Sequence, residues 1–277
     1  MTETPIRPRR RPKITTVRET ERLSPHLTRV IVGGEDLDGF GVGEFTDHYV
    51  KLHIPPPGAE YEAPFDTEEV KERYPREQWP RVRTYTVRDW DAERGRLTLD
   101  FVVHGDEGVA GPWAAAAKPG DVLQLMGPGG GYTPRPDADW HLLVGDLAVI
   151  PAIAASLDRI PAGVPVHVII EVPGPEDEID LRTEADLHLT WLHGDGTGDT
   201  LPPAVAALDF PDGEVHAFVH GEAEVVRELR RHLVAERGIP RASMSASGYW
   251  KRGRDDEAWR AEKADFNRAA DAELETV

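Results

Sequence analysis

No cysteine occurs anywhere in the 277 residues. That absence removes disulfide frameworks, thiolate nucleophiles, paired-cysteine redox centres, thiolate zinc sites and cysteine-ligated iron–sulfur clusters together. Any redox chemistry must therefore use a bound organic cofactor or a metal held by other ligands. Long apolar runs are absent too. Hydrophobic residues make up 39% of the chain, but no uninterrupted stretch approaches the roughly 20 residues of a bilayer-spanning helix. The N-terminus, MTETPIRPRRRPK, has no apolar signal core. A soluble, cytoplasmic protein without membrane insertion is expected. Positive charge is also scarce, with 32 Lys and Arg against 50 Asp and Glu and a net charge of -18. Phosphate backbones would be repelled, which argues against a general nucleic-acid binder. The one dense basic run, Arg7 to Lys13, contains Pro8 and Pro12 and reads as a solvated, mobile arm.

The familiar catalytic constellations are missing as well. His104 has no neighbours at metal-ligand spacing. The glycine-rich Gly194 to Gly198 lacks the lysine and hydroxyl of a phosphate-binding P-loop. Ser156 and Ser247 lie in no nucleophile elbow.

What is present divides in two, as the length of the chain favours. Up to Tyr132 the chain reads as strands and turns. Val50, Leu52 and Ile54 alternate with Lys51 and His53. Leu97, Leu99, Phe101 and Val103 alternate with Thr98, Asp100 and Val102, so each run has one apolar and one polar face. Such strands suit an antiparallel barrel or sandwich. Val109 to Ala117 reads as a short helix, ended by Lys118-Pro119-Gly120-Asp121 before a strand at Val122 to Met126. Pro56 to Pro80 reads as a long excursion between two strands. Residues 133–139, rich in proline and charge, read as a linker between residues 1–132 and 140–277.

Beyond the linker, strands and helices alternate. Strands are expected at His141 to Gly145, Val166 to Val172, His188 to His193, Val215 to Val219 and Ser243 to Tyr249. Helices are expected at Ala148 to Asp158, Leu201 to Leu208 and Glu222 to Glu236, with an acidic one from Asp255 to the end. The alternation predicts a mainly parallel sheet whose ligand crevice lies at the carboxyl ends of its strands.

Two stretches carry chemistry. In Arg83-Thr84-Tyr85-Thr86 the pleat puts Arg83 and Tyr85 on one face. A guanidinium there pairs with a diphosphate, a phenol ring covers an isoalloxazine face, and an adjacent hydroxyl reaches a flavin ring nitrogen. The alternative is a charged edge strand with a packed tyrosine. In Gly108 to Trp113, glycines open the start of a short helix to a diphosphate; by itself such a glycine pair is usually a turn.

The ordered set His48 to Leu52 (HYVKL), Arg83 to Arg88 (RTYTVR), Asp100 to Gly105 (DFVVHG), Lys118 to Asp121 (KPGD), Gly145 to Ile153 (GDLAVIPAI) and Gly248 to Gly253 (GYWKRG) resembles the siderophore-interacting proteins. These are FAD-containing ferric-siderophore reductases of the ferredoxin-reductase-like superfamily. The resemblance covers nearly the whole chain. It implies a FAD-binding barrel in residues 1–132 and an NAD(P)H-binding α/β domain in 140–277. FAD and NADH or NADPH would be the cofactors, and a ferric siderophore the substrate.

Carried over by position, Arg83, Thr84, Tyr85, Thr86, Asp100, Phe101, Val102 and His104 would contact the flavin. Ala110, Gly111 and Trp113 would hold its diphosphate and adenine side. Gly145, Asp146, Gly221 and Glu222, with Tyr249 and Trp250, would form the nicotinamide crevice. Lys51, Lys251 and Arg252 would grip an anionic chelate. Electron transfer needs no acid or base, so no catalytic residue is assigned.

The chain departs from the family pattern in three places. Leu147 and Ala148 replace two polar residues of GDETALPA. Gly111 stands where a hydroxyl residue is common. The turn Gly127-Pro128-Gly129-Gly130-Gly131 lacks the usual arginine. The implied reaction passes hydride from NAD(P)H to FAD and single electrons to the ferric chelate, which releases ferrous iron. Two alternatives stand beside it: a related reductase working on free flavin, a quinone or a partner protein, and a ferric-siderophore binding protein without turnover.

Overall fold

A computed structural model describes residues 11–275. Arg7, Arg9 and Arg10 of the basic run lie outside the described residues. Six strands, β1 (Lys13–Ser24), β2 (Leu27–Gly33), β3 (Tyr49–Ile54), β4 (Arg81–Asp91), β5 (Arg96–Val102) and β6 (Val122–Gly129), close into a barrel in the order β1-β2-β5-β4-β3-β6. Every pairing is antiparallel, and β6 closes the ring onto β1. The period-two apolar residues fill its interior, among them Val30, Val50, Leu52, Leu97, Leu99 and Leu125, each fully buried.

One expectation is corrected in β5. Its supposed polar face is not solvated, because Thr98 and Asp100 are buried. Asp100 sits opposite Arg29 in the β2–β5 register, and the guanidinium donates to both carboxylate oxygens, at 2.7 and 2.9 Å. A buried carboxylate is tolerable there because a bidentate cation neutralises it.

The excursion of Pro56 to Pro80 contains a helix, α1 (Thr67–Arg73). Asp66 caps it by accepting from the amides of Glu68 and Glu69. Only Val70 of this helix is buried, too little periodicity to reveal it, so the cap and an aromatic cluster of Tyr61, Phe65 and Tyr74 hold the segment in place. A second short helix, α2 (Ala110–Ala116), precedes β6.

The second half alternates as its periodicity implies. It comprises β7 (Trp140–Asp146), α3 (Ile150–Leu157), β8 (Pro165–Val172), β9 (Asp186–His193), α4 (Leu201–Ala207), β10 (Val215–Glu222), α5 (Ala223–Arg231), β11 (Met244–Trp250) and α6 (Asp256–Glu275). The five strands form one parallel sheet in the order β11-β10-β7-β8-β9. The near-continuous burial of β7, β8 and β10 reflects cover on both faces. The helix expected from Ala148 begins later. Residues Leu147–Val149 form a 3-10 turn, and α3 starts at Ile150 with Pro151 in its first turn, where proline's missing N–H costs nothing.

The two halves share buried surface. Leu27 of β2 belongs to the same apolar cluster as Leu143, Leu147 and Phe218. Thr46 and Ser156 hydroxyls meet at 2.8 Å, and Arg88 pairs with Asp158 at 2.8 Å. Among the described residues, no helix is long and apolar enough to cross a membrane.

Candidate functional site

The barrel is split on one side. β4 pairs with β5 only from Val87 to Asp91, whereas Arg81 to Thr86 pair with β3 alone. The far end of β5, Asp100 to Val102, pairs with β2. β4 therefore stands apart from β5 up to Thr86 and joins it only from Val87, which explains why Arg83, Thr84, Tyr85 and Thr86 all line one cleft instead of alternating. Asp100, Val102, His104, Ala110 and Gly111 line the same cleft from the other lip. Its volume is about 880 Å³, at the upper end for a ligand site.

Phe101 and Trp113 do not line it. Phe101 stacks behind the Tyr85 ring at 4.3 Å between centroids, and Trp113 backs Phe101 at 5.6 Å. They set the tilt of Tyr85 from the barrel interior. Burial pushes the Tyr85 phenol well above its usual range, so it stays protonated. Gly111 also has a packing reason. A Cβ there would meet the Val102 carbonyl oxygen at 3.0 Å, so glycine lets α2 rest on the end of β5. No side chain caps the first turn of α2.

The opposite wall comes from the carboxyl ends of the parallel strands, where β7 and β10 lie at the topological switch point. Asp146, Leu147, Ala148, His220, Tyr249 and Trp250 line the cleft there. Gly145, Gly221 and Glu222 stand behind them. A Cβ on Gly145 would strike Val149 at 2.5 Å; Gly221 has φ +137° and its Cβ would meet Asp146 Oδ2 at 2.6 Å. Asp146 accepts from Trp250 Nε1 at 2.8 Å, Glu222 N at 3.0 Å and Ala148 N at 3.0 Å. Burial raises its pKa to about 6 against the pull of these donors. Glu222 caps α5 and accepts from the Arg252 amide at 3.0 Å. These carboxylates thus tie β7, β10 and β11 together. Tyr249 of β11 and Thr86 of β4 line the cleft from its two walls, and burial pushes the Tyr249 phenol well above its usual range.

Helix α6 flanks the mouth. Trp259 packs on Gly248, where a Cβ would come within 3.1 Å of the indole, and Asp256, Arg260 and Lys263 face the cleft. Arg83 pairs with Glu257 at 2.6 Å, Arg260 donates to the Val82 carbonyl at 3.2 Å, and Lys263 to Ser247 Oγ at 3.2 Å. Desolvation lowers the Lys263 pKa. His220, buried in the cleft wall, is held neutral with its pKa pushed down to about 3 by burial. Its Nδ1 has no partner among the described residues. Asp256, Arg260 and Lys263 of α6, Ser247 of β11 and His220 of β10 were not among the expected site residues, although Asp256, Trp259, Arg260 and Lys263 share one helical face.

The three residues expected to grip substrate do not line the cleft. Lys51 is exposed and stands opposite cleft-lining Thr84 in the β3–β4 register. Lys251 is engaged by Glu224 at 3.2 Å and lies 4.4 Å from the Phe266 ring centroid. Arg252 pairs with Asp199 at 2.8 Å. Among the described residues, no group of three or more His, Asp or Glu side chains could hold a metal ion.

A split antiparallel barrel facing the switch point of a parallel sheet across one cleft defines a two-domain, flavin-and-nucleotide reductase architecture. The residues fit a flavin dinucleotide: a cation at Arg83, a neutral buried ring at Tyr85, hydroxyls at Thr84 and Thr86, and a close backbone approach at Gly111. Family models agree. The siderophore-interacting FAD-binding domain matches residues 16–132 and the siderophore-interacting protein domain matches residues 138–253, so this chain belongs to the siderophore-interacting protein family.

It is 37% identical over 245 residues to the ferric vibriobactin reductase ViuB of Vibrio cholerae, covering 87% of this chain and 90% of that one. It is 33% identical over 240 residues to an NADPH-dependent ferric-chelate reductase of Escherichia coli, covering 85% and 91%. The crystal structure of the siderophore-interacting protein SipS from Aeromonas hydrophila superimposes with a TM-score of 0.79 at 31% identity, over 93% of this chain and 98% of that one.

Proposed function

We propose that this protein is a FAD-dependent NAD(P)H:ferric-siderophore reductase that works in the cytoplasm, with residues 1–132 as the flavin domain, 133–139 as the linker and 140–277 as the nicotinamide domain. The observation that carries the reading is the gap between β4 and β5. It presents Arg83 to Thr86 directly opposite Asp146 and Tyr249. The reductase relatives and the family membership support it.

FAD, when bound, supplies the exchange between a two-electron donor and a one-electron acceptor. The chain supplies placement. Arg83 would offer charge to the diphosphate, the Tyr85 ring would cover an isoalloxazine face, and the Thr86 hydroxyl would offer a hydrogen-bonding group to the ring edge. Asp146 keeps Trp250 and the start of α5 in register so that the nicotinamide side of the cleft is preformed. Lys51, exposed opposite cleft-lining Thr84, offers positive charge to an anionic ferric chelate in a protein that is otherwise acidic, whereas Lys251 and Arg252 are engaged by Glu224 and Asp199.

The test is anaerobic. Purified protein should be yellow, NADH or NADPH should bleach it, and ferric siderophore should restore the colour while a ferrous-specific chelator reports released iron. A colourless protein that binds no added FAD would overturn the proposal. A second reading rests on Leu147 and Ala148, which present apolar surface to the cleft. If ferric siderophore binds tightly but the bound flavin resists both nicotinamides, the protein is a chelate carrier.

A further inference from the structure

The turn between β1 and β2 carries a built polar node that the flavin reading leaves unused. Ser24 Oγ donates to Asp177 Oδ1 at 2.7 Å, and the His26 amide donates to the same oxygen at 3.0 Å. His26 Nδ1 lies 2.7 Å from Asp177 Oδ2. Asp177 comes from the other half of the chain, in the 3-10 turn Pro175–Asp177 after β8, and has 0% exposure. Desolvation opposes its charge, but the bonds from Ser24 and His26 outweigh that and hold its pKa below the ordinary carboxylate range. Burying a carboxylate is costly unless both oxygens are engaged. Here the three partners all belong to the β1–β2 turn, and one of them is an imidazole on the cleft wall.

A carboxylate only accepts, so the hydrogen of this contact sits on Nδ1, and Nε2 is the ring nitrogen left for the cleft. In the neutral ring Nε2 is then an acceptor, which matches a hydroxyl donor. The His26 carbonyl accepts from Val103 N at 2.9 Å, and Gly111 packs against Val102 and Val103. His26 therefore lines the cleft beside the segment Val102 to Gly111, and Pro173 lines it too. Tyr85, Thr86 and Tyr249 line the same cleft. A dinucleotide with its ring system on Tyr85 and its diphosphate near Gly111 would bring its adenosine half within reach of this segment.

We propose that His26, oriented by Asp177, binds a ribose hydroxyl in the adenosine half of bound FAD. Asp177 is a positioning residue, and His26 is the binding group. The inference rests on the flavin reading above.

Calorimetric titration of the apoprotein with FAD and with FMN, which lacks the adenosine half, tests it. His26→Asn keeps an N–H to donate to Asp177 but removes the ring atom facing the cleft. FAD affinity should fall about tenfold, as for one lost neutral hydrogen bond, with FMN affinity and melting temperature unchanged. His26→Gln, whose longer amide reaches toward the Nε2 position, should recover part of the loss. If His26→Asn unfolds the protein, the same FAD-to-FMN comparison in His26→Gln against wild type decides the matter: a loss of FAD affinity smaller than tenfold and absent for FMN supports the proposal. Equal FAD binding in both variants and wild type overturns it. So does an equal loss for FAD and FMN, and so does a raised KM for NADH or NADPH with FAD affinity intact, which would put His26 on the other dinucleotide. If wild type itself binds neither flavin, it is the proposed function that fails.

Discussion

Arg83 Nη1 lies 2.6 Å from Glu257 Oε1 and 3.6 Å from Asp256 Oδ2, so the strand that faces the flavin slot is tied to the C-terminal helix. The guanidinium has two sets of claimants, these carboxylates and the diphosphate proposed for it. Arg83→Ala should weaken FAD binding about 10- to 100-fold, the range for losing a charge-assisted hydrogen bond. Glu257→Gln removes a competitor that is itself partly solvated, so FAD should bind more tightly by a few-fold at most. Titration of both apoproteins distinguishes this from a purely structural ion pair, for which Glu257→Gln would not tighten binding.

The Tyr249 hydroxyl reaches toward Thr86 from the opposite wall of the cleft. Tyr249→Phe keeps the ring and deletes the hydroxyl. Stability in a urea titration should drop by about 1 kcal/mol, and nicotinamide-driven flavin reduction should slow because the two walls are less firmly registered. Unchanged reduction kinetics would show that Tyr249 only packs.

Gly145 is a steric requirement. An added Cβ would overlap Val149 at 2.5 Å near the end of β7, where neighbouring Leu143, Val144, Ile150 and Ala152 are fully buried. Gly145→Ala should cost about 1–3 kcal/mol through overpacking, read as a lower melting temperature with FAD affinity little changed, since the barrel wall is untouched.

Acid should destabilise the protein. Burial holds His141 and His216 near 4 and His220 near 3, against 6.5 when unfolded. The unfolded chain therefore binds more protons in this window, and stability present above pH 6.5 is lost as pH falls toward 4. Asp146, raised to about 6, works the other way: its contribution is full below about 3.8 and fades as pH rises through 6. Three depressed histidines outweigh one raised carboxylate, so the melting temperature should fall between pH 7 and pH 4. His216→Gln should flatten that slope. A profile rising toward pH 4 would contradict the assignment.

The fold class was legible because it depends on local periodicity. Val50, Leu52 and Ile54 repeat every second residue whatever surrounds them, and Val225, Val226, Leu229 and Leu233 announce a helix in the same way. Less local features were hidden. α1 has a single buried residue and a cap in place of a stripe. Asp100 reads as solvated until Arg29, far away in sequence, is set opposite it.

The sequence by itself determined the two-part architecture, the absence of thiol chemistry and the position of the Arg83 to Thr86 strand, because composition and side-chain period are carried by residues close together in the chain. Only the tertiary structure decided which residues share the cleft. It opened β4 away from β5 so that four successive residues face one space. It drew Lys251 and Arg252 into ion pairs and laid α6 across Arg83. It also set His26 against Asp177 from the other half. Those outcomes depend on contacts between segments as far apart as residues 83 and 257, and such distances are fixed only when the barrel and the sheet pack together.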